Sequence, residues 1–278
     1  MLQDTARLRV VPCGDTPMVW RAWGGGRPLV LLHGGHGSWT HWCRNIDALS
    51  RAGREVWVPD LPGFGDSPPL PGAEDADDLV SALGDALSTL FGDRPVDLVA
   101  FSFGAIVAGL LASSRPHSIG KLVLVGATGL GLVTPPPPLR SWRRAADDQE
   151  RMSIHGSNLA ALMLHRLDPE DAEAVRLQAA NVERAKLASL RLSHSDVLLR
   201  ALRSVHCDVH GIWGEHDALY RGQLASVESA LRALPAFRHF AVVPGAGHWV
   251  QYEAPRRFHV ALQQALADAR GAAGGADG

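Results

Sequence analysis

Cysteine is scarce in this chain. Cys13, Cys43 and Cys207 are the only three, they lie far apart, and their number is odd. That excludes a disulfide framework and any Cys-x-x-Cys motif, and isolated reduced thiols are the expectation. An excess of either charge is missing too. The 27 basic residues against 29 acidic ones leave a net charge of −2, and nothing in that balance favours nucleic acid or an anionic membrane. No run is apolar and long enough to span a bilayer, and residues 1–11 lack the apolar stretch of a signal peptide. These absences lead us to expect a cytoplasmic protein whose partner is a small molecule, with no nucleic acid and no membrane. A homodimer is compatible with the same composition. Repeats are also absent. With 46% hydrophobic and 20% charged residues the composition is globular, and 278 residues suffice for one large domain with an insertion.

Apolar runs alternate with helical stretches, which predicts a mostly parallel sheet with helices on both faces. Strands are expected at 7–11 and 19–23, joined by a turn at Cys13-Gly14-Asp15, and then at 28–33, 55–59, 96–101, 121–125, 208–213 and 239–243. The run Leu29-Val30-Leu31-Leu32 is apolar on both faces, as a buried parallel strand requires. Helical spacing covers 39–51, 75–91, 104–113 and about 255–269. A Gly/Pro boundary at 131–138 ends in four prolines. Beyond it Arg, Ala and Leu recur at helical periodicity with no clear strand. The sequence thus divides into a core (1–132 and 207–270), a helical lid (133–206) and an Ala/Gly tail (271–278) with nothing to bury, expected to be mobile.

Four segments carry chemistry. In Ala100-Phe101-Ser102-Phe103-Gly104 a buried strand feeds a serine and a small-residue helix leaves it. A tight strand-to-helix turn would hold Ser102 above the sheet edge, at the positive end of the helix. Taken alone, the segment equally fits an ordinary turn with an incidental serine. In His33-Gly34-Gly35-His36-Gly37 a strand ends in a Gly-rich loop. Acyl transfer needs backbone N–H groups aimed at the developing oxyanion, and we assign these to Gly35 and to Phe103. A metal loop built from His33, His36 and His41 is the weaker alternative, because the spacing fits no ligand pattern and no acid supports it. Gly247-His248-Trp249 follows the strand at 239–243, and Trp213-Gly214-Glu215-His216-Asp217 follows the strand at 208–213. His248 is the candidate base. Asp217 is the candidate acid that fixes its tautomer, with Glu215 in reserve. Nucleophile, acid and base thus run Ser, Asp, His along the chain, each just after a strand. A triad of this kind needs no cofactor and no metal.

These segments, together with Asp60-Leu61-Pro62-Gly63-Phe64-Gly65-Asp66-Ser67, resemble the α/β-hydrolase superfamily. The resemblance covers nearly the whole chain. It implies an α/β-hydrolase fold, with a mostly parallel central sheet of about eight strands and a helical lid between strands six and seven. Within the superfamily, Gly247-His248-Trp249-Val250-Gln251-Tyr252-Glu253 and the lid stretch from Asn181 to Arg191 resemble the hydrolases that cleave carbon–carbon bonds of meta-cleavage products. That group implies substrate contacts for Trp249 and for a lid arginine, here Arg184 or Arg191. Each arginine also fits a plain solvated helix face, and Trp249 fits core packing. The group usually has Gly and Asn at positions 100 and 101 and Gly at 36, where this chain has Ala100, Phe101 and His36. Those departures place Phe101 and His36 at the substrate and turn the expectation toward esters. The reading is a serine hydrolase of small to medium, mostly apolar carboxylic esters, acting through an acyl-enzyme. Carbon–carbon bond hydrolysis and a catalytically idle binding module are the rivals.

Overall fold

Strands apolar on both faces can be buried only if helices cover both sides of their sheet. In a computed structural model, which describes residues 2–14, 16–168, 171–187 and 191–267, that is the arrangement found. The tail at 271–278, residues 188–190 of the lid stretch and Asp15 of the first turn lie outside the described residues. The strands are β1 (Arg7–Cys13), β2 (Thr16–Gly24), β3 (Arg27–Leu32), β4 (Arg54–Pro59), β5 (Val96–Phe101), β6 (Ile119–Val125), β7 (Asp208–Gly214) and β8 (Phe237–Val243). They form one eight-stranded sheet in the order β1-β2-β4-β3-β5-β6-β7-β8. Only the pairings β1 with β2 and β2 with β4 are antiparallel. From β4 to β8 every neighbour is parallel.

The helices are α1 (Ile46–Arg51), α2 (Val80–Phe91), α3 (Phe103–Ser114), α4 (Asp148–Leu162), α5 (Ala172–Arg184), α6 (Val197–Ala201), α7 (Leu224–Arg232), α8 (Val250–Glu253) and α9 (Pro255–Leu266). Alternation along the strands sorts them into two layers. Val30, Leu32, Leu98 and Ala100 pack with Leu83 of α2 and Ile106 of α3. Leu29, Leu31, Val99 and Phe101 pack on the opposite face with Ile46 of α1 and Phe258 of α9. β5 runs through the middle of the sheet with all six residues buried, so its carboxyl end is held from both sides.

Two expectations about helices need correction. Residues 39–51 are not one helix. A 3-10 turn at Trp39–Trp42, capped by Ser38, precedes the short α1. The break lets the Asn45 side chain donate to the Gln251 carbonyl (2.9 Å) and buries Trp42 beneath α9, with its ring 5.9 Å from that of Phe258. α7 and α8 were not anticipated. α7 buries only Val227 and Leu231, too few apolar positions to stand out. Between β6 and β7 the described residues are helical or irregular, with α4 and α5 capped by Asp147 and Asp171.

His210, on β7, is 8% exposed, and neither ring nitrogen has a hydrogen-bond partner among the described residues. Burial pulls its imidazole down to about 4. Folding therefore favours the neutral ring, and below the ordinary histidine value of ~6.5 the unfolded chain binds the extra proton. Stability should fall as pH drops from about 7 toward about 4. The midpoint of urea unfolding, followed across that range, should decline less steeply in His210→Leu than in the wild type.

Candidate active site

At the end of β5 the chain turns straight into α3, and Ser102 is the residue at the corner. Its φ of 52° is in the left-handed region, shared among described non-glycine residues only by His36. The Ser102 N–H donates to the Val125 carbonyl of β6 (2.8 Å), which fixes the corner to the sheet. Two positions later a side chain is impossible, because a Cβ on Gly104 would lie 2.3 Å from the His33 carbonyl oxygen. Ala100 needs no glycine. It is fully buried in the same cluster as Leu32 and Ile106.

The loops after β7 and β8 bring Asp217 and His248 to this corner. His248 Nε2 is 3.0 Å from Ser102 Oγ, and His248 Nδ1 is 2.8 Å from Asp217 Oδ2. Asp217 is 1% exposed, and its Oδ1 accepts the Leu219 N–H (2.9 Å). A buried carboxylate can only accept, so the proton sits on Nδ1 and Nε2 is free to accept from Ser102. Gly126, at φ 48°, makes room for the pair, since a Cβ there would lie 3.2 Å from the imidazole. The Phe101 ring packs 4.9 Å from that imidazole. Glu215 faces elsewhere: it is exposed and accepts the Gly245 N–H (2.8 Å).

Gly35 and Phe103 both border the cavity that opens above Ser102. Phe103 is the first residue of α3, where N–H groups have no partner within the helix. The loop carrying Gly35 is shaped by two buried histidines. His41 Nδ1 accepts the Gly34 N–H (3.2 Å), and His33 Nε2 accepts the Leu61 N–H (2.9 Å) while its Nδ1 donates to the Gly34 carbonyl (2.8 Å). Burial lowers both imidazoles, His41 most strongly, and the neighbouring His33, His248 and His36 lower His41 further. Both rings are therefore neutral supports. With both nitrogens of His33 and one of His41 committed to backbone, the His33–His36–His41 loop does not offer the ligand set of a metal site. Gly37 closes the loop by donating to the Gly34 carbonyl (3.2 Å), which sets His36 at its positive φ. Burial, followed by the charge of Arg143, lowers the His36 imidazole.

The cavity holds about 220 Å³ and contains Ser102 and His248 in its wall. Phe101, Phe103, Val133, Leu162, Met163 and Leu219 make it mostly apolar. His36, Thr128, Ser193 and His194 supply the side-chain polarity beyond the triad. Of the side chains expected at the substrate, His36 and Phe101 line this cavity. Trp249 does not: it is fully buried, donates to the His41 carbonyl (2.9 Å) and stacks on Tyr252 at 4.1 Å. Neither lid arginine lines the cavity. Arg184 is drawn away by the loop after β4, where it donates to the Gly65 carbonyl (2.9 Å) and to the Asp66 carboxylate. Arg191 is exposed, on a segment whose next residue, Leu192, donates its N–H to Asp75 (3.0 Å). Sequence reasoning missed Thr128 and Ser193, which no motif marks. His41 was visible only as a histidine near a Gly-rich loop.

The contrast between the two acids is testable. Asp217→Asn should lower kcat on an activated ester by about four orders of magnitude, because the amide would favour the wrong imidazole tautomer. Glu215→Gln should change kcat less than about threefold, since its bond to Gly245 lies outside the triad.

The sequence of this chain matches the model of the alpha/beta hydrolase family over residues 29–261. The dihydrolipoyllysine-residue acetyltransferase component of the acetoin cleaving system of Pseudomonas putida is 30% identical over 250 residues, which cover 87% of this chain. The match spans only 63% of that relative's length. A 2-hydroxy-6-oxononadienedioate/2-hydroxy-6-oxononatrienedioate hydrolase of the same species is 33% identical over 256 residues, covering 84% of this chain and 86% of the relative. Among solved structures, carboxylesterase CesB (YbfK) from Bacillus subtilis superposes with a TM-score of 0.77 at 21% identity, over 94% of this chain and 92% of that one. The eight-stranded sheet, the residues at the ends of its strands and the family match lead to one conclusion: the chain belongs to the alpha/beta hydrolase family.

Proposed function

We propose that this chain is a serine hydrolase that cleaves carboxylic esters of small to medium, mostly apolar compounds through an acyl-enzyme. One observation carries the reading. Ser102 Oγ, 3.0 Å from His248 Nε2, stands in the wall of an apolar cavity that no Arg or Lys among the described residues lines. His248 takes the hydroxyl proton as Ser102 Oγ attacks the ester carbonyl carbon. The oxyanion is met by the N–H groups of Gly35 and Phe103. His248 then passes the proton to the departing alcohol oxygen. A water gives its proton to His248 and attacks the acyl-enzyme, the acid leaves, and Ser102 recovers its proton from His248. Asp217 holds the imidazole in place throughout. His36 and Phe101 form part of the wall against which the substrate lies.

A second reading, hydrolysis of a carbon–carbon bond, has support from the relative named as a dienedioate and trienedioate hydrolase. Such substrates carry carboxylates, and a buried carboxylate needs a cation or several hydrogen-bond donors. Arg184 is committed to Asp66 and Gly65, and Arg191 is exposed outside the cavity. No Arg or Lys among the described residues lines the cavity, whose side-chain polarity beyond Ser102 and His248 comes from two hydroxyls and two imidazoles, and this favours a neutral ester. A binding module without chemistry would have no need for the full Ser102–His248–Asp217 chain.

Steady-state kinetics on a short-chain p-nitrophenyl ester and on a dienone diacid separate the readings. The ester should be turned over with a kcat/KM at least about 100-fold above that of the diacid. Arg184→Gln should leave the ratio of the two unchanged. A ratio that favours the diacid, and that collapses in Arg184→Gln, would establish the carbon–carbon reading instead.

A further inference from the structure

The cavity above Ser102 is not uniformly apolar. Thr128 follows β6, Ser193 lies in the lid 65 residues later, and both line the cavity that holds Ser102. They are 3% and 8% exposed. Thr128 Oγ1 donates to Ser193 Oγ at 3.2 Å. The bond direction uses up the threonine's hydrogen and one lone pair of the serine. Among the described residues no acceptor is found for the Ser193 O–H, which leaves it as a donor. A buried hydroxyl hydrogen facing an apolar space is costly unless something accepts it.

The backbone that carries this hydroxyl is held by several main-chain bonds, and its oxygen by the bond from Thr128. The Ser193 carbonyl accepts the Gly129 N–H (3.0 Å), and the Ser195 carbonyl accepts the Gly131 N–H (2.8 Å). In the other direction the N–H groups of Leu198 and Leu199 donate to the Gly129 carbonyl (2.9 and 3.2 Å). The Leu192 N–H donates to Asp75 Oδ2 (3.0 Å). The segment that carries Ser193 is thus laced to the end of β6, and the bond from Thr128 sets where its hydroxyl oxygen lies. A held donor in a mostly apolar wall is how a site selects one polar atom of a ligand.

We propose that Thr128 and Ser193 form a polar subsite that takes a neutral hydrogen-bond acceptor, a ketone or ether oxygen, carried by the substrate away from its scissile ester. The inference rests on the ester-hydrolase reading and adds the substrate class: oxygenated rather than plain alkyl esters. Thr128 orients the serine oxygen, and the Ser193 O–H meets the ligand. No charge is involved, in keeping with a wall that no Arg or Lys among the described residues lines.

Calorimetry on Ser102→Ala, which binds without turnover, tests the subsite. The probes are ethyl hexanoate and a set of ethyl oxohexanoates with the ketone walked along the chain. One oxohexanoate should bind about tenfold more tightly than the alkyl ester. Adding Ser193→Ala should bring that ratio to about one, and adding Thr128→Val instead should reduce it. Equal binding of all the esters, or a preference that survives both variants, would overturn the subsite. Turnover of the same esters by the wild type tests the ester-hydrolase reading separately, since binding to Ser102→Ala does not depend on it.

Discussion

At Ser102 the backbone adopts φ 52° and ψ −118°, a conformation that a side-chain-bearing residue takes only at a cost of about 1–3 kcal/mol. The sheet keeps it there. β5 is the inner strand between β3 and β6, and its six residues are buried. The Ser102 N–H is held by Val125, and α3 can approach β3 closely because position 104 is glycine. With the corner fixed, the hydroxyl projects toward the ends of β7 and β8, where Asp217 and His248 wait. If the corner relaxed, the 3.0 Å separation from His248 Nε2 would be lost, and with it the alignment of Phe103 at the head of α3.

The segment between β6 and β7 is tied to the loops around this corner. Asn181 of α5 accepts from Ser38 (2.7 Å) and donates to Thr40 (2.9 Å), in the loop that follows Gly35. Arg184 reaches Asp66, which also pairs with the buried Arg21, and Arg21 holds Asp60 at 2.8 Å. Asp60 in turn accepts the Trp39 N–H (2.7 Å). Beside the base, the Trp249 N–H donates to the Met163 carbonyl (2.7 Å), and Glu253 gathers the N–H groups of His165, Arg166 and Gly247. The segment between β6 and β7 therefore meets the rest of the chain at the loop after Gly35, at the loop around Asp66 and beside His248, as well as at the end of β6. Arg184 and Trp249, which sequence resemblance set at the substrate, serve these joints instead.

Much of this was legible in the sequence because parallel strands write themselves as short runs apolar on both faces. Leu29–Leu32 and Val96–Phe101 could be placed within a residue or two, and each candidate triad residue stands just past such a run. What was not legible depends on contacts between distant segments. Helical periodicity gives the face of α5 on which Arg184 lies, but not that the loop holding Asp66 lies alongside. Nothing near Asn45 announces that Gln251 will interrupt a helix there. Thr128 and Ser193 carry no motif, and only the fold brings a residue after β6 against the lid segment at 191–194.

Ser102 is proposed as a nucleophile activated by His248, and a fluorophosphonate probe examines that role directly. The wild-type protein should take up one probe per chain, and mass spectrometry of its peptides should place the adduct on Ser102, with no labelling of Ser102→Ala. A folded wild-type protein that stays unlabelled, or that carries the adduct on another residue, would contradict the account.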